Sequence, residues 1–394
     1  MNKSLIALSI AAAMAAPMAN AAPKVYGKLN VSFENIKDDT KEDGRWEMIS
    51  NASRFGLKGE DEVTATVSAI YGIEWEVSTD GNGTDLGQRN RFVGLKHQSA
   101  GTIKFGRVDT LTKLAQGEID LFNDLNADMG KVIAGENRVN NVLTYESPKI
   151  ADAIQVNLQV IPGEESQNKT ATGANCAGAK ANQCDDNGIA DAISASLIYN
   201  NEEAGLYAAL ALDKGVTSTF NAAGSFNGAF SKYVSEAGGS ETSAKTDIIR
   251  LVGSYNLKDQ GLTLNALIQK AERSDAITSI DYTPDGGAKF TVTDITPEEQ
   301  SYLLGVAWKV PGVEGLTAKL QYVTAETDFG DAAIDKVTLT QTSVGADYNL
   351  ASKTKVFGYV STRDYKNDNN TDTGNGKSDS YKSSFLAFGM EHKF

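Results

Sequence analysis

The apolar residues of this chain fall in short runs of strict alternation. In "KVYGKLNVSF", Val25, Leu29, Val31 and Phe33 share one parity, and Lys28, Asn30 and Ser32 share the other. A period of two belongs to an extended strand with one apolar face. In "VTATVSAIYGIEWEV", Val63, Val67, Tyr71, Ile73, Trp75 and Val77 oppose Thr64, Thr66, Ser68, Glu74 and Glu76. In "ADAIQVNLQVI", Ile154, Val156, Leu158 and Val160 oppose Gln155, Asn157 and Gln159. "DIIRLVGSYNL" sets Ile249, Leu251, Tyr255 and Leu257 against Arg250, Ser254 and Asn256, and "EQSYLLGVAWKV" sets Tyr302, Leu304, Val306, Trp308 and Val310 against Gly305 and Lys309. The final segment alternates Leu386, Phe388, Met390 and Phe394 with small or charged residues. "KVTLTQTSVGADYNL" changes phase midway, which predicts a bulge.

About sixteen such strands are expected, near 24–36, 45–58, 63–77, 88–98, 102–108, 138–147, 151–161, 189–200, 205–213, 247–257, 261–272, 299–310, 315–326, 336–350, 354–365 and 381–394. Their connections alternate in length. Tight turns ("GED", "QSAG", "SPKI", "NNEEA", "KDQG", "PGVEG", "ASK") take turns with long polar segments near 109–137, 162–188, 214–246, 273–298 and 366–380, and shorter ones near 37–44, 78–87 and 327–335. A soluble sandwich has no reason for this rhythm. A barrel crossing an outer membrane does, with short periplasmic turns and long extracellular loops. The expected fold is therefore all-β: a 16-stranded antiparallel transmembrane β-barrel with both termini on the periplasmic side.

Composition changes this picture little. A net charge of -14, 41% hydrophobic residues and a mean hydropathy of -0.30 would suit a soluble acidic protein, but a barrel needs only alternate strand residues apolar. The acidic balance argues against a nucleic-acid partner. The N-terminus matters more. "MNKSLIALSIAAAMAAPMANA" has an early lysine, a short apolar run and small residues at Ala19 and Ala21. It reads as a secretory signal over 1–21, cleaved after Ala21, leaving one barrel domain over 22–394. Cys176 and Cys184 lie close together in a Gly- and Asn-rich segment of an exported chain, which favours a disulfide staple. The alternative, a metal site, has no His nearby, and two Cys alone make an incomplete zinc site. "STDGNGTDLG" lacks the terminal Glu of a calcium loop and reads as a turn. His97 and His392, the two histidines, have no evident Ser/Asp partnership, so no catalytic constellation, cofactor or metal is expected.

Several segments resemble the general porins of Gram-negative outer membranes. "KVYGKLNVSFE" looks like their first strand, and "SRFGLKGEDEV" like their second with its turn. "RNRFVGLKHQSAGTIKFGRVDT" looks like the fourth and fifth, "ENRVNNVLTYESPKI" like the sixth, and "FGMEHKF" like the closing strand. The resemblance covers the first ~150 residues and the C-terminus by motif, and the middle by strand pattern. It implies a homotrimer and a constriction loop, about 109–137, folded into the lumen. It implies contact with outer-membrane lipid and lipopolysaccharide. It also implies that Phe394 is an assembly signal for the barrel-assembly machinery.

By motif, a basic cluster on the lumen wall would be Lys28, Arg54, Arg107 and Arg138. Alternation puts Lys28, Arg54 and Arg138 on polar faces, whereas Arg107 follows Ile103 and Phe105 in phase and needs a bulge or strand end to turn inward. A basic residue at mid-membrane on the lipid face costs about 2–4 kcal/mol, which favours the lumen; the bland alternative is a charge at a strand end. Opposite it, "LAQGEIDLFNDLNADMGK" offers Glu118, Asp120, Asp124 and Asp128, with Glu118, Asp120 and Asp124 the best candidates; the bland alternative is that half of the four are solvated surface charges. This segment lacks the "PEFGGD"-like stretch of the family. Glu74, Glu76, Arg250, Lys309 and Lys319 are further lumen candidates.

The expected function is an outer-membrane channel for passive diffusion of ions and small hydrophilic solutes. The acidic net charge suggests mild cation preference. A sugar- or phosphate-selective porin and a surface adhesin with a blocked lumen are the alternatives.

Overall fold

The structure, a computed structural model, describes residues 22–38, 44–81, 86–163, 188–220, 243–274, 280–282, 290–292, 297–331, 334–367 and 380–394. Its strands are β1 (Lys24–Asp38), β2 (Arg45–Ser50), β3 (Arg54–Thr64), β4 (Val67–Glu76), β5 (Gly87–His97), β6 (Gly101–Asp109), β7 (Arg138–Glu146), β8 (Ile154–Ile161), β9 (Ala192–Asn201) and β10 (Leu206–Thr219). They continue as β11 (Ser243–Leu257), β12 (Leu262–Arg273), β13 (Ile280–Tyr282), β14 (Phe290–Val292), β15 (Glu298–Lys309), β16 (Leu316–Asp331), β17 (Ile334–Ala351), β18 (Thr354–Asn367) and β19 (Tyr381–Lys393). Each main strand pairs antiparallel with its chain neighbours, and β1 pairs with β19, so the sheet closes. Both β2 and β3 pair with β1, so they are two halves of one stave, and the barrel has sixteen. The break at Asn51–Ser53 is held by the Ser53 hydroxyl, which donates to the Asn30 carbonyl and accepts from the Asn30 N–H. The small β13–β14 hairpin stands apart from the barrel sheet.

The burial pattern is that of a soluble protein turned inside out. On β1, Lys28, Asn30, Ser32 and Glu34 are buried while Leu29 and Phe33 are exposed. The same inversion runs round the ring: Gln321 and Gln341 are fully buried, and Leu304 on the opposite face is 62% exposed. An outer belt of Leu, Ile, Val and aromatic side chains is what hydrocarbon accepts at no desolvation cost. At the closure, Phe33 stacks on Trp46 at 5.3 Å between centroids and leans on Phe388 at 5.8 Å. The C-terminus is tied in by a reciprocal pair: Phe394 N–H donates to the Gly27 carbonyl at 3.0 Å, and Gly27 N–H to the Phe394 carbonyl at 3.2 Å. Closure of this kind leaves no unpaired edge to face lipid.

Three expectations are corrected. The turn expected at "GED" lies at Ala65–Thr66 instead; Glu60, Asp61 and Glu62 are paired strand residues opposite Ile70, Ala69 and Ser68. Acidic residues mark a turn only when the strand has no aqueous face to receive them. The connection expected at 327–335 shrinks, because β16 and β17 stay paired out to Asp331 and Ile334, and β10 likewise runs on to Thr219 past a bulge at Gly215. Beyond the apolar belt a strand needs no alternation, so its ends were invisible to the pattern. Finally, β17 carries no bulge at its phase change. Its register runs unbroken from Val337 to Asn349 against β18, and Val337 and Leu339 point inward because something apolar covers them.

That cover is the connection from Thr110 to Asn137. It begins with a short helix, α1 (Leu111–Leu114), capped by the Thr110 hydroxyl, and includes a single 3-10 turn at Met129–Lys131 capped by Asp128. Ala115, Ile119, Met129, Val132, Ile133 and Ala134 are buried against Ile248, Leu267, Leu303, Val323, Val337 and Leu339 of the wall. Phe122 packs separately on Tyr359, edge to face at 5.7 Å. The inward-folded loop is thus glued to the β10–β18 half of the bore.

Candidate functional site

Polar bonds fix the loop as firmly as its apolar side. Arg250 on β11, fully buried, donates to Gln269, to the Thr112 and Ala134 carbonyls, and to Glu136 at 2.7 Å. Burial pushes the Glu136 carboxyl up against the pull of Arg250. Asp120 accepts from the Phe122 and Met129 N–H groups and from Gln321. Burial, and then the nearby Asp128, push its carboxyl well above the ordinary value. Asp128 accepts from the Asp124 and Gly130 N–H groups, and burial raises it too. Gln341 and Arg363 donate to the Ala127 and Asn126 carbonyls. Lys319 donates to the Leu121 carbonyl at 2.8 Å, lies 4.6 Å over the Phe122 ring and pairs with Asp347.

The loop crosses the bore at Asp124. This residue adopts the left-handed backbone region (φ 67), which turns its carboxylate toward the opposite wall. One oxygen accepts from Lys28 Nζ on β1 at 2.6 Å and from Arg54 Nη2 on β3 at 2.9 Å. Burial alone would raise this carboxyl, but Arg54 and Lys28 outweigh it and hold it below the ordinary carboxylate range. Lys28 also meets Glu391 of β19 at 3.2 Å. Beside this bridge lies a cavity of about 230 Å³ whose lining includes Arg54, Arg89, Arg138 and Lys113 together with Asp109, Asp124, Asp128 and Glu136. Arg138 bonds Asp109 at 3.0 Å and Asn90 at 2.5 Å, while Arg89 bonds Glu74 at 2.5 Å and Glu76 at 3.3 Å. On the turn side of the loop a second cavity, about 630 Å³, is lined by Glu118, Lys309 and several Asn, Ser and Thr side chains of β9–β16.

The structure therefore brings together Lys28, Arg54, Arg138 and Asp124 among the residues singled out from sequence. Arg107 stands elsewhere. The bulge that its phase required exists, between Gly106 and Val108, but its Nη1 donates to Asn140 at 2.6 Å and it does not line the charged cavity. Arg89 occupies that place. It shares parity with the outward Val93 and Leu95, so alternation hid it; the irregularity between Ile73 and Trp75 of β4 shifts the phase of β5 just there. Asp120 and Arg250 hold the loop's own shape, Glu118 faces the larger cavity, and Glu74 and Glu76 orient Arg89. The signal segment 1–21 and the Cys176–Cys184 pair lie outside the described residues.

A closed barrel with an apolar belt, a polar bore and a charged loop folded across it defines an outer-membrane barrel of porin architecture. The chain belongs to the Gram-negative porin family, whose model matches residues 7–370. It is a protein of the Gram-negative outer membrane, in a family of channels rather than enzymes. Among curated relatives, the major outer membrane protein P.IB of Neisseria lactamica is 28% identical over 163 residues, covering 38% of this chain and 47% of that protein. Outer membrane porin protein 32 of Delftia acidovorans is 27% identical over 162 residues, 38% of this chain and 46% of that one. The chain thus spans about half the length of the curated relatives it matches. Among solved structures, the anion-selective porin from Comamonas acidovorans superimposes with a TM-score of 0.61 at 19% identity, over 94% of this chain and 99% of that one. OmpF of Salmonella typhi in complex with daunomycin gives 0.61 at 13% identity, over 94% and 97%, and a trimer form of OmpT of Vibrio cholerae gives 0.56 at 14%, over 96% and 100%. At these identities the shared property is the fold.

Proposed function

We propose that the barrel is a water-filled channel for passive diffusion of ions and small hydrophilic solutes, with the Lys28–Asp124–Arg54 bridge and the adjoining charged cavity as its constriction. The observation that carries this reading is the inverted barrel itself, whose polar interior is narrowed by a loop bearing charge at its tip. The role of Lys28, Arg54, Arg89 and Arg138 is to set, with Asp109 and Asp124, a field across the narrow zone that orients permeating ions. The mild cation preference expected from composition rests on a net charge of -14. The charged cavity is balanced, with four cations and four carboxylates in its lining, which supports only a weak preference.

Refolded protein in planar bilayers tests the reading: stepwise conductance is expected, and a reversal potential in a salt gradient gives the preference its sign. Complete absence of conductance in correctly folded protein would overturn it in favour of the second reading, a barrel stoppered by its loop, which the direct contact between loop and wall favours. Three copies per assembly agree with the trimer form of the Vibrio cholerae neighbour, and cross-linking in native membranes tests that part. Removal of 1–21 on export, and recognition of Phe394 by the assembly machinery, belong to the same reading.

A further inference from the structure

At the turn-side mouth of the bore, a cavity of about 540 Å³ has a lining that includes four lysines, Lys24, Lys58, Lys96 and Lys104, two glutamates, Glu60 and Glu146, and Phe92. All four share the inward face with Lys28 and Arg54, as the pairing registers of β1 and β3–β6 require. Two of the lysines are matched: Lys104 pairs with Glu146 at 2.6 Å and Lys96 with Glu60 at 3.1 Å. Lys24 and Lys58 are not. They stand directly opposite one another in the β1–β3 register and make no ion pair among the described residues, Lys58 lying 4.9 Å over the Tyr26 ring. Like charges directly opposite across strands are destabilising unless an anion lies between them.

We propose that this vestibule docks small organic anions, specifically a monocarboxylate with an aromatic or aliphatic body. The carboxylate bridges the Lys24 and Lys58 ammonium groups, and the body lies toward Phe92, whose ring already carries Lys104 at 5.3 Å on its face. The site is separate from the constriction: none of its lysines touches the loop bridge, and it opens toward the short turns. Its role, concentrating anionic solutes at one mouth, rests on the channel reading, but the binding itself does not.

The test is therefore equilibrium binding, not conductance. Benzoate, acetate and benzyl alcohol are titrated against the full barrel refolded in neutral detergent, by calorimetry or ligand-observed NMR, with heat-modifiable gel migration as the check on folding. Benzoate is expected to bind more tightly than acetate, and benzyl alcohol to show no competition. Lys24→Gln with Lys58→Gln is expected to weaken benzoate about tenfold, taking each exposed cation at a few ångströms as a factor of about three. A second variant, Phe92→Leu, keeps every charge and is expected to bring benzoate down to the acetate affinity while leaving acetate unchanged. Unaltered benzoate affinity in both folded variants, or competition by benzyl alcohol equal to that by benzoate, overturns the proposal. A barrel that conducts but fails these tests refutes the vestibule alone; a barrel that binds benzoate but never conducts refutes the channel alone.

Discussion

Asp124→Asn is the sharpest perturbation of the constriction. Asparagine tolerates the left-handed backbone at this position (φ 67), where alanine would add strain of its own. It removes one full negative charge and keeps one acceptor, so the Lys28 and Arg54 contacts at 2.6 and 2.9 Å weaken but the loop's other anchors remain. Each contact is a charge-assisted hydrogen bond of roughly 1.5–3 kcal/mol, and the retained amide oxygen recovers part, so the tether loses on the order of 2–4 kcal/mol. For a permeating ion about 5 Å away in water, one missing charge changes the potential energy by ~0.8 kcal/mol, a factor of roughly 4 in local concentration. Anions gain and cations lose by that factor, so the anion-to-cation permeability ratio is expected to rise by up to about 16-fold and single-channel conductance to increase. The assay is reversal potential and single-channel conductance in planar bilayers under a salt gradient. A reversal potential that stays put, or that moves toward cations, refutes the assignment of Asp124 to the narrowest zone.

Three other outcomes follow from the same geometry. Replacing Arg250 by Met leaves Glu136 buried without its cation and cuts three bonds to the loop and one to Gln269 of the wall; a local cost of about 3–5 kcal/mol is expected, read as faster hydrogen exchange across 110–137 while the barrel keeps its heat-modifiable migration. Because Asp124 is held below the ordinary carboxylate range, the stability it gives the bridge is fully present above about pH 4 and is lost as pH falls through the lowered value. The conductance difference between wild type and Asp124→Asn should then stay constant from about pH 7 to 5, because the raised carboxyls of Asp120, Asp128 and Glu136 are common to both, and should vanish only in stronger acid; a difference that vanishes already between those two values would contradict the bridge. Deleting Phe394 removes the two backbone bonds to Gly27; surface levels of the protein are expected to fall sharply, with little change in the conductance of molecules that do insert, and normal surface levels would count against the assembly role.

Much of this architecture was legible because the membrane enforces a period of two with the apolar side out. The closing pair of β1 with β19, the long and short connections and the polar bore all follow from that single rule. It failed where the bore is not water. Val337 and Leu339 looked like a change of phase, yet they are ordinary inward residues under an apolar loop, and Leu303, Val323 and Ile248 belong to the same footprint. It failed again where a strand irregularity resets parity. Arg89 keeps the parity of the outward Val93 yet lines the charged cavity, and the bulge that Arg107 needs to turn inward does form but delivers it to Asn140. Sequence sorts the loop acids only in part: Asp124, one of the three favoured, reaches the wall, while Asp120, equally favoured, and Asp128 serve backbone N–H groups of their own turn. That distinction depends on which carboxylate has a backbone donor within reach, a three-dimensional fact with no periodic signature.

The attachment of the loop has a consequence for the order of assembly. Its anchors lie far downstream in the chain: Leu121 waits for Gln321, 200 residues later, Ala127 for Gln341, 214 later, and Asn126 for Arg363, 237 later. When the loop leaves the translocation machinery, none of those staves has yet been delivered. The later staves, in turn, present an apolar inner stripe that water would otherwise wet until the loop settles on it. Docking of the loop and closure of the ring are thus late, mutually dependent events, and a barrel halted before its last strands would carry a sticky interior, a state that periplasmic holding chaperones are chemically suited to shield.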